Sequence, residues 1–466
     1  MMKNFFYSLA IYLLSLPAFA ELPSAVSDAL KVAGITQDNV AVYVQQVDAA
    51  HPLVSLNAQK SMNPASVMKL VTTYTALEML TPAYRWKTEV YRNGEIKHGV
   101  LHGDLIVKGY GDPDFQPHHF WQLLMQLQQL GVHKITGDLL IDKSYFTPQA
   151  NNAAFDDEVW RAYNAAPSAF LVGGRKTSLQ FQVLDNQVYV QQEFPLPQVR
   201  IEQTLTLRQG ECGDWRNYIQ YKVLPEKAST KVKITGSYAA SCESRYLELS
   251  LFNDEGYAFN TFKALWKGQG GTFNGKLRVT AIPASATYMF QQLSAPLGEQ
   301  VRDINKWSNN LMARQLLLTM AAEDNPALAN EVHGAEVVKQ QLTKLNLPMD
   351  ALVLENGSGL SRVERLTAGQ LGYMLVRAYH RPVMPEFMAS LPILGLDGTV
   401  KTRMQTSAAQ AKAHLKTGSI NGVVAIAGYV LGQDQQRYVL VMLVNDAKAA
   451  QARAAQDALV AWTYQH

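Results

Sequence analysis

Cysteine is scarce in this sequence: Cys212 and Cys242 are the only two among 466 residues. That scarcity excludes a disulfide-stapled scaffold and any cluster of thiolate metal ligands. No histidine lies close to either cysteine, and the ten histidines, His118 and His119 included, show no metal-ligand spacing. Blocks of like charge are missing as well. With 42 basic and 39 acidic residues the chain is close to neutral, so nothing calls for nucleic acid, and at most a loose association with a membrane surface is expected. Beyond the first twenty residues no apolar run is long enough to span a bilayer. Internal repeats and low-complexity linkers are also absent.

What is present begins at the N-terminus. "MMKNFFYSLAIYLLSLPAFA" has one basic residue, Lys3, an uncharged run from Phe5 to Leu16, and the small-residue site Ala18-Phe19-Ala20. This pattern predicts a signal peptide over residues 1–20, cut after Ala20, against the alternative of a membrane anchor. No cysteine follows the cut, which argues against a lipid anchor. The mature chain is then expected beyond the inner membrane, without a lipid or transmembrane anchor. In that oxidising setting Cys212 and Cys242 are expected to pair, which would stabilise by about 3–4 kcal/mol in the chain-entropy view.

The texture of the chain changes twice. "SAVSDALKVAG" predicts a helix and "VAVYVQQV" a strand; "NPASVMKLVTTYTALEML" then predicts an amphipathic helix that stops at Thr81-Pro82. From about 87 to 285 short alternating stretches predict a β-rich region. It includes a hairpin turn at Asn93-Gly94 and one helical piece, "HFWQLLMQLQQLG". Helices are expected to return with "YMFQQLSAPLGEQVRDINKW" and "NNLMARQLLLTMAAE". "AHLKTGSI", a turn at Asn421-Gly422, "VVAIAGYVLG" and "RYVLVMLVN" read as strands, and an Ala-rich helix closes the chain. Residues 21–86 and 286–466 are therefore expected to form one discontinuous domain. Residues 87–285 would be an insertion of two small β-rich domains.

Chemistry concentrates in three short motifs. Ser66-Val67-Met68-Lys69 is the only serine followed three positions later by lysine. On a helix such residues share a face, about 5–6 Å apart at Cβ, so the lysine reaches the hydroxyl. The bland reading makes Ser66 a cap and Lys69 a snorkelling surface residue; the sharper one makes them nucleophile and base. The second requires a lysine whose pKa is depressed by burial and a neighbouring cation. Ser308-Asn309-Asn310 precedes an apolar helix, where Ser308 and Asn310 read either as caps or as a proton relay and a substrate donor. Lys416-Thr417-Gly418 lies on a strand, where Gly418 weakens the strand unless something approaches closely. Lys416 would be the second cation, Thr417 a carboxylate binder, and the Ser419 N–H a partner for that of Ser66 in an oxyanion hole. Another Lys-Thr pair, Lys176-Thr177-Ser178, precedes Ser308 and reads as the start of a strand.

The three motifs in this order are those of serine penicillin-binding proteins and β-lactamases. Together with "GYGDP" (109–113), "ENGSGLSR" (355–362), "LDGTVKTR" (396–403) and the 238 residues separating Lys69 from Ser308, the mature chain resembles one group closely. These are the class C low-molecular-mass penicillin-binding proteins, the D-alanyl-D-alanine carboxypeptidase/endopeptidase group of peptidase family S13. Where that group often reads Asp before GSGLSR, this chain has Glu355-Asn356. The resemblance implies an α/β transpeptidase-like domain, an antiparallel sheet flanked by helices, with inserted β-rich domains. It implies a periplasmic serine acyl-enzyme on Ser66 acting on peptidoglycan peptides, no metal or cofactor, and covalent inhibition by β-lactam antibiotics. It also implies that Arg362 clasps a diaminopimelate carboxylate, against the reading of a surface arginine in a Gly-rich loop. Asp112, Asp397 and Arg403 read as structural. A β-lactamase, or a non-catalytic cell-wall scaffold of the same fold, are the alternatives. The first needs a dedicated deacylating base that the sequence does not reveal, and the second would be expected to have lost Lys69 or Lys416.

Overall fold

Both ends of the chain meet in one five-stranded antiparallel sheet in this computed structural model, which describes residues 22–147, 155–227 and 229–466. The predicted signal peptide lies outside the described residues. Across the sheet the order is Ala413–Ile420, Val423–Leu431, Arg437–Asn445, Val40–Gln46 and Val54–Leu56, which leaves Ala413–Ile420 as an edge. The strands read as nearly unbroken apolar runs because helices cover both faces. Val40, Val42 and Val44 face a core shared with the helices Ser24–Ala33 and Arg453–Gln465, while Ala41 and Tyr43 face the core that surrounds the Ser66–Lys69 motif. Leu440, Met442 and Val444 alternate in the same way with Val439, Val441 and Leu443.

The helix Lys69–Leu80 departs from expectation. It is not amphipathic: every residue from Lys69 to Leu77 is buried. It runs through the core between the helices Asn310–Asp324, Leu297–Lys306 and Glu331–Lys344. Two of its buried threonines are accommodated by pairing, Thr73 Oγ1 donating to Lys69 O at 2.7 Å and Thr72 Oγ1 to Gly357 O at 2.7 Å. The helix ends before Thr81, whose φ is 71°, and Pro82.

The described residues of 87–293 contribute three further sheets over a hydrophobic core of their own. The largest has seven strands, and the predicted turn at Asn93-Gly94 is not one. Both residues lie inside the strand Lys87–Lys97, Gly94 facing Gly103 across the ladder, and the chain reverses at His98-Gly99, whose φ values are 49° and 78°. The segment expected to start a helix at Tyr288 is instead the strand Thr287–Leu293, paired antiparallel with Lys87–Lys97. Helix begins only after Pro296, at Leu297, because proline suits a helix entry and not its interior. A helix that sequence periodicity did not single out, Asp254–Gly268, is capped by Asn253. Cys212 and Cys242 form a disulfide joining the chain beyond two parallel neighbours, Val199–Arg208 and Thr230–Ala239. Lys176-Thr177-Ser178 starts a strand, as expected.

Two buried polar contacts fasten this region to the helices around the motifs. Gln315 donates to Ser168 O at 2.9 Å and accepts from Ser168 N–H at 2.9 Å. Asp112 Oδ1 accepts from the Asp114 N–H at 3.0 Å and from Gln300 Nε2 at 3.1 Å. Burial pushes the Asp112 carboxyl up to about 6, against the lowering effect of those donors. The raised value means the folded protein holds this proton more tightly than the unfolded chain does. Stability from this group is therefore intact below pH 3.8 and is lost as pH rises through about 6. Asp112→Asn should remove a cost on the order of 2–3 kcal/mol at neutral pH. Its melting temperature is expected to exceed that of the parent protein near pH 7.5 and to converge with it near pH 4. Equal melting curves at both would contradict the assignment.

Candidate active site

Ser66 sits in a tight helical turn, Ala65–Met68, that feeds directly into the helix starting at Lys69. The turn is entered through Ala65, whose φ of 44° is uncommon for a residue with a Cβ. Two asparagines hold that conformation. Asn63 Oδ1 accepts the Ala65 N–H at 2.8 Å and its amide donates to Ser361 O at 2.9 Å. Asn445, at the end of the sheet, exchanges two hydrogen bonds with the Asn63 backbone, at 2.8 and 2.9 Å. Ser66 itself is only partly covered, so its hydroxyl can meet a ligand.

Lys69 has no solvent exposure. Its Nζ lies 3.2 Å from Ser66 Oγ, 2.6 Å from Asn310 Oδ1 and 2.5 Å from the carbonyl of Ser358. Burial first, and then the nearby charge of Lys416, hold its pKa well below the usual lysine range, while Glu364 acts in the opposite sense. A neutral amine offers two N–H donors and one lone pair. Asn310 Oδ1 and the Ser358 carbonyl can only accept, so they take the two donors and leave the lone pair facing the Ser66 hydroxyl.

Lys416 is also fully buried, and desolvation brings it down to about 7. Its Nζ donates to Ser308 Oγ at 2.9 Å and to Thr417 O at 2.6 Å. Ser308 has a φ of 57°, a second strained serine turn at the same site. The helix N-cap is neither Ser308 nor Asn310 but Asn309, which accepts the Met312 N–H at 3.1 Å. That leaves the other two side chains free to face the two lysines.

The edge strand completes the arrangement. A Cβ on Gly418 would lie 2.7 Å from Pro64 O and 2.9 Å from the Ser66 N, so the strand runs directly against the serine turn. Ser419 next to it is exposed, and Thr417 Oγ1 is 2.7 Å from Thr399 Oγ1, in the "LDGTVKTR" segment. Arg362 sits apart from this cluster. Its guanidinium donates to Asn421 O at 2.9 Å and lies 4.6 Å from the Phe155 ring, at the far end of the edge strand. A cavity of about 540 Å³ opens beside Ser308–Asn310, lined also by Trp307, Asp303, Asp114, Tyr163 and Lys176.

A profile of the D-Ala-D-Ala carboxypeptidase 3 (S13) family matches residues 22–466. The chain belongs to this family. It is 25% identical over 444 residues to the D-alanyl-D-alanine carboxypeptidase DacB of Haemophilus influenzae, covering 92% of this chain and 90% of that one. It is 27% identical over 438 residues to the D-alanyl-D-alanine carboxypeptidase of Actinomadura sp., covering 90% and 80%. In structure it is similar to penicillin binding protein 4 from Haemophilus influenzae, with a TM-score of 0.77 and 23% identity over 95% of this chain and 99% of that one. This likeness shows the penicillin-binding-protein fold.

Within that fold, the loop 355–364 supplies contacts that motif reading missed. Besides the Ser358 carbonyl, Gly359 packs so closely on the serine turn that a Cβ there would meet Ala65 O at 2.0 Å. "GSG" was visible as a Gly-rich loop, but its placement depends on the fold. Asp397 and Arg403 take structural roles. Asp397 pairs with Lys306 at 2.5 Å and caps Ile393 N–H, and Arg403 pairs with Asp457 at 2.6 Å. Gly418→Ala tests the close approach of strand and serine. Its backbone is not in the left-handed region, but the added Cβ meets backbone atoms at 2.7 and 2.9 Å, so strand and serine turn must move apart and the melting temperature should fall. Acylation by a fluorescent penicillin should slow by about 10- to 100-fold as the strand is pushed off Ser66. Unchanged labelling would contradict the approach.

Proposed function

We propose that this protein is an exported serine DD-peptidase that acts on peptidoglycan stem peptides in the periplasm through an acyl-enzyme on Ser66. The observation that carries this reading is the contact of a fully buried Lys69 Nζ with Ser66 Oγ at 3.2 Å. Ser66 Oγ attacks the carbonyl of a D-alanine residue as its proton passes to the neutral Lys69 amine. Asn310, held by its contact with Lys69, donates to the peptide backbone. The oxyanion forms between the N–H groups of Ser66 and Ser419, where fixed dipoles meet the developing charge without reorganising. Ser308, hydrogen-bonded to Lys416, relays a proton to the departing amine, and water then releases the acyl group.

The edge position of Ala413–Ile420 supports a substrate lying alongside it as an added strand. Thr417, with Thr399 beside it, would bind the substrate's carboxylate, and an approaching anion would favour the charged form of Lys416. Removal of a terminal D-alanine and cleavage of a D-alanine–diaminopimelate cross-link differ only in the departing amine. Arg362, at the far end of the strand, would meet a diaminopimelate carboxylate through its guanidinium. Residues 21–86 and 286–466 form the catalytic domain in this reading, and 87–285 an insertion of two small domains that shapes access. The pairing of Thr287–Leu293 with Lys87–Lys97 extends that insertion's sheet to residue 293. β-Lactams would acylate the same Ser66.

Incubation with a fluorescent penicillin should label the parent protein covalently and leave Ser66→Ala unlabelled. Digestion of purified monomeric and cross-linked muropeptides, followed by mass, should show loss of D-alanine or of a cross-link for the parent protein alone. Label that persists in Ser66→Ala would sink the nucleophile assignment. Rapid turnover of the label would favour a β-lactamase.

A further inference from the structure

We propose that Glu364 is a positioning residue for Lys69: its buried carboxylate holds the Ser358 carbonyl in place against the amine and sets a negative charge opposite Lys416. This rests on the reading of Ser66 and Lys69 as nucleophile and base. Glu364 has no solvent exposure. One oxygen, Oε1, accepts three consecutive backbone N–H groups, those of Glu355, Asn356 and Gly357, at 3.1, 3.0 and 3.0 Å. Such a fan of donors encloses an anion and fixes the path of the turn. The next residue is Ser358, whose carbonyl takes a hydrogen from Lys69 Nζ, and Gly357 O is fastened to the same helix by Thr72. Glu364 therefore reaches Lys69 through one turn of backbone.

Its second oxygen, Oε2, is buried and has no hydrogen-bond partner among the described residues. A carboxylate in that state is costly unless its charge has a use or a compensating neighbour. Lys69 is faced by Lys416 from the edge strand and by Glu364 from the loop, and Glu364 is faced by Lys69 and by Glu355 of its own loop. Lys416 pushes the Lys69 proton off and Glu364 draws it back. Burial, with the Glu355 charge adding to it, holds the Glu364 carboxyl above the usual carboxylate range, and the three N–H groups pull it back toward the charged form. A purely structural turn would need only an acceptor at Oε1, and a glutamine would supply that.

The test is the pH dependence of acylation by a fluorescent penicillin, measured for the parent protein, E364Q, E364D and E364A, with melting temperatures alongside. E364Q keeps the acceptor and loses the charge, so the acid limb should move about one pH unit lower, because Lys69 sheds its proton more readily. E364D keeps the charge with a shorter reach. Its limb should stay near that of the parent protein while acylation slows several-fold as the Ser358 carbonyl shifts. E364A leaves three buried N–H groups unpaired, and should melt lower and acylate at least about tenfold more slowly. An E364Q limb that coincides with the parent's or moves to higher pH overturns the proposal. So does an E364D limb displaced as far as that of E364Q. Failure of the parent protein itself to take label would instead remove the Ser66 reading on which the proposal stands.

Discussion

Lys69 sits with no solvent exposure and three polar atoms within hydrogen-bonding distance of its amine. The rest of the site follows from the cost of that burial. A charged ammonium taken out of water without a carboxylate at contact is expensive, and the cheaper course is to release the proton. A neutral amine fits the three contacts without a surplus donor, and its lone pair is then directed at a serine hydroxyl. The same desolvation acts on Lys416, and the charge of Lys416 in turn discourages a proton on Lys69. Two buried lysines, one in contact with Ser66 and the other with Ser308, can hand protons to and from those hydroxyls during a reaction. A pair of exposed lysines with pKa near 10.5 could not.

Keeping those amines dry is the work of the architecture. The five-stranded sheet is covered on both faces, and the helix that begins at Lys69 is enclosed by three others rather than lying at the surface. The three motifs come from distant parts of the chain, so they meet only if the sheet and the helix bundle assemble with the correct register. Asn63 and Asn445 join the serine turn to the end of the sheet, Gln315 and Asp112 join the inserted region to the surrounding helices, and Glu364 shapes the loop above Lys69. At the site itself Ala65 and Ser308 are both held in the left-handed region, which hydrogen bonds from neighbouring residues must over-determine.

Much of this was legible in the residues themselves. Ser66 and Lys69, Ser308 and Asn310, and Lys416 through Ser419 each mark themselves by type and spacing, and their order in the chain pointed to a single site. The strands near the C-terminus were readable because their apolar runs are bounded by a strong Asn421-Gly422 turn. Where the reading failed, local signals were overruled by tertiary partners. Asn93-Gly94 has hairpin chemistry, yet its strand continues because Gly103 lies opposite; Tyr288–Leu293 could pass for helix until its pairing with Lys87–Lys97 is known. The serine helix looked amphipathic because its threonines counted as polar, whereas Thr72 and Thr73 spend their hydroxyls on carbonyls. Glu364 and Thr399 were invisible for a different reason. Glu364 meets three backbone N–H groups and Thr399 the Thr417 hydroxyl, and no spacing rule encodes either contact.

The central claim is that Lys69 is an uncharged amine in the resting protein. Side-chain NMR of lysine labelled with ¹³C and ¹⁵N, with the Lys69 signal assigned by its loss in Lys69→Arg, measures this directly. At pH 7 the Lys69 resonance is predicted at the position of a neutral amine, apart from the ammonium signals of the surface lysines. An ammonium resonance for Lys69 that persists to pH 10 would contradict the account.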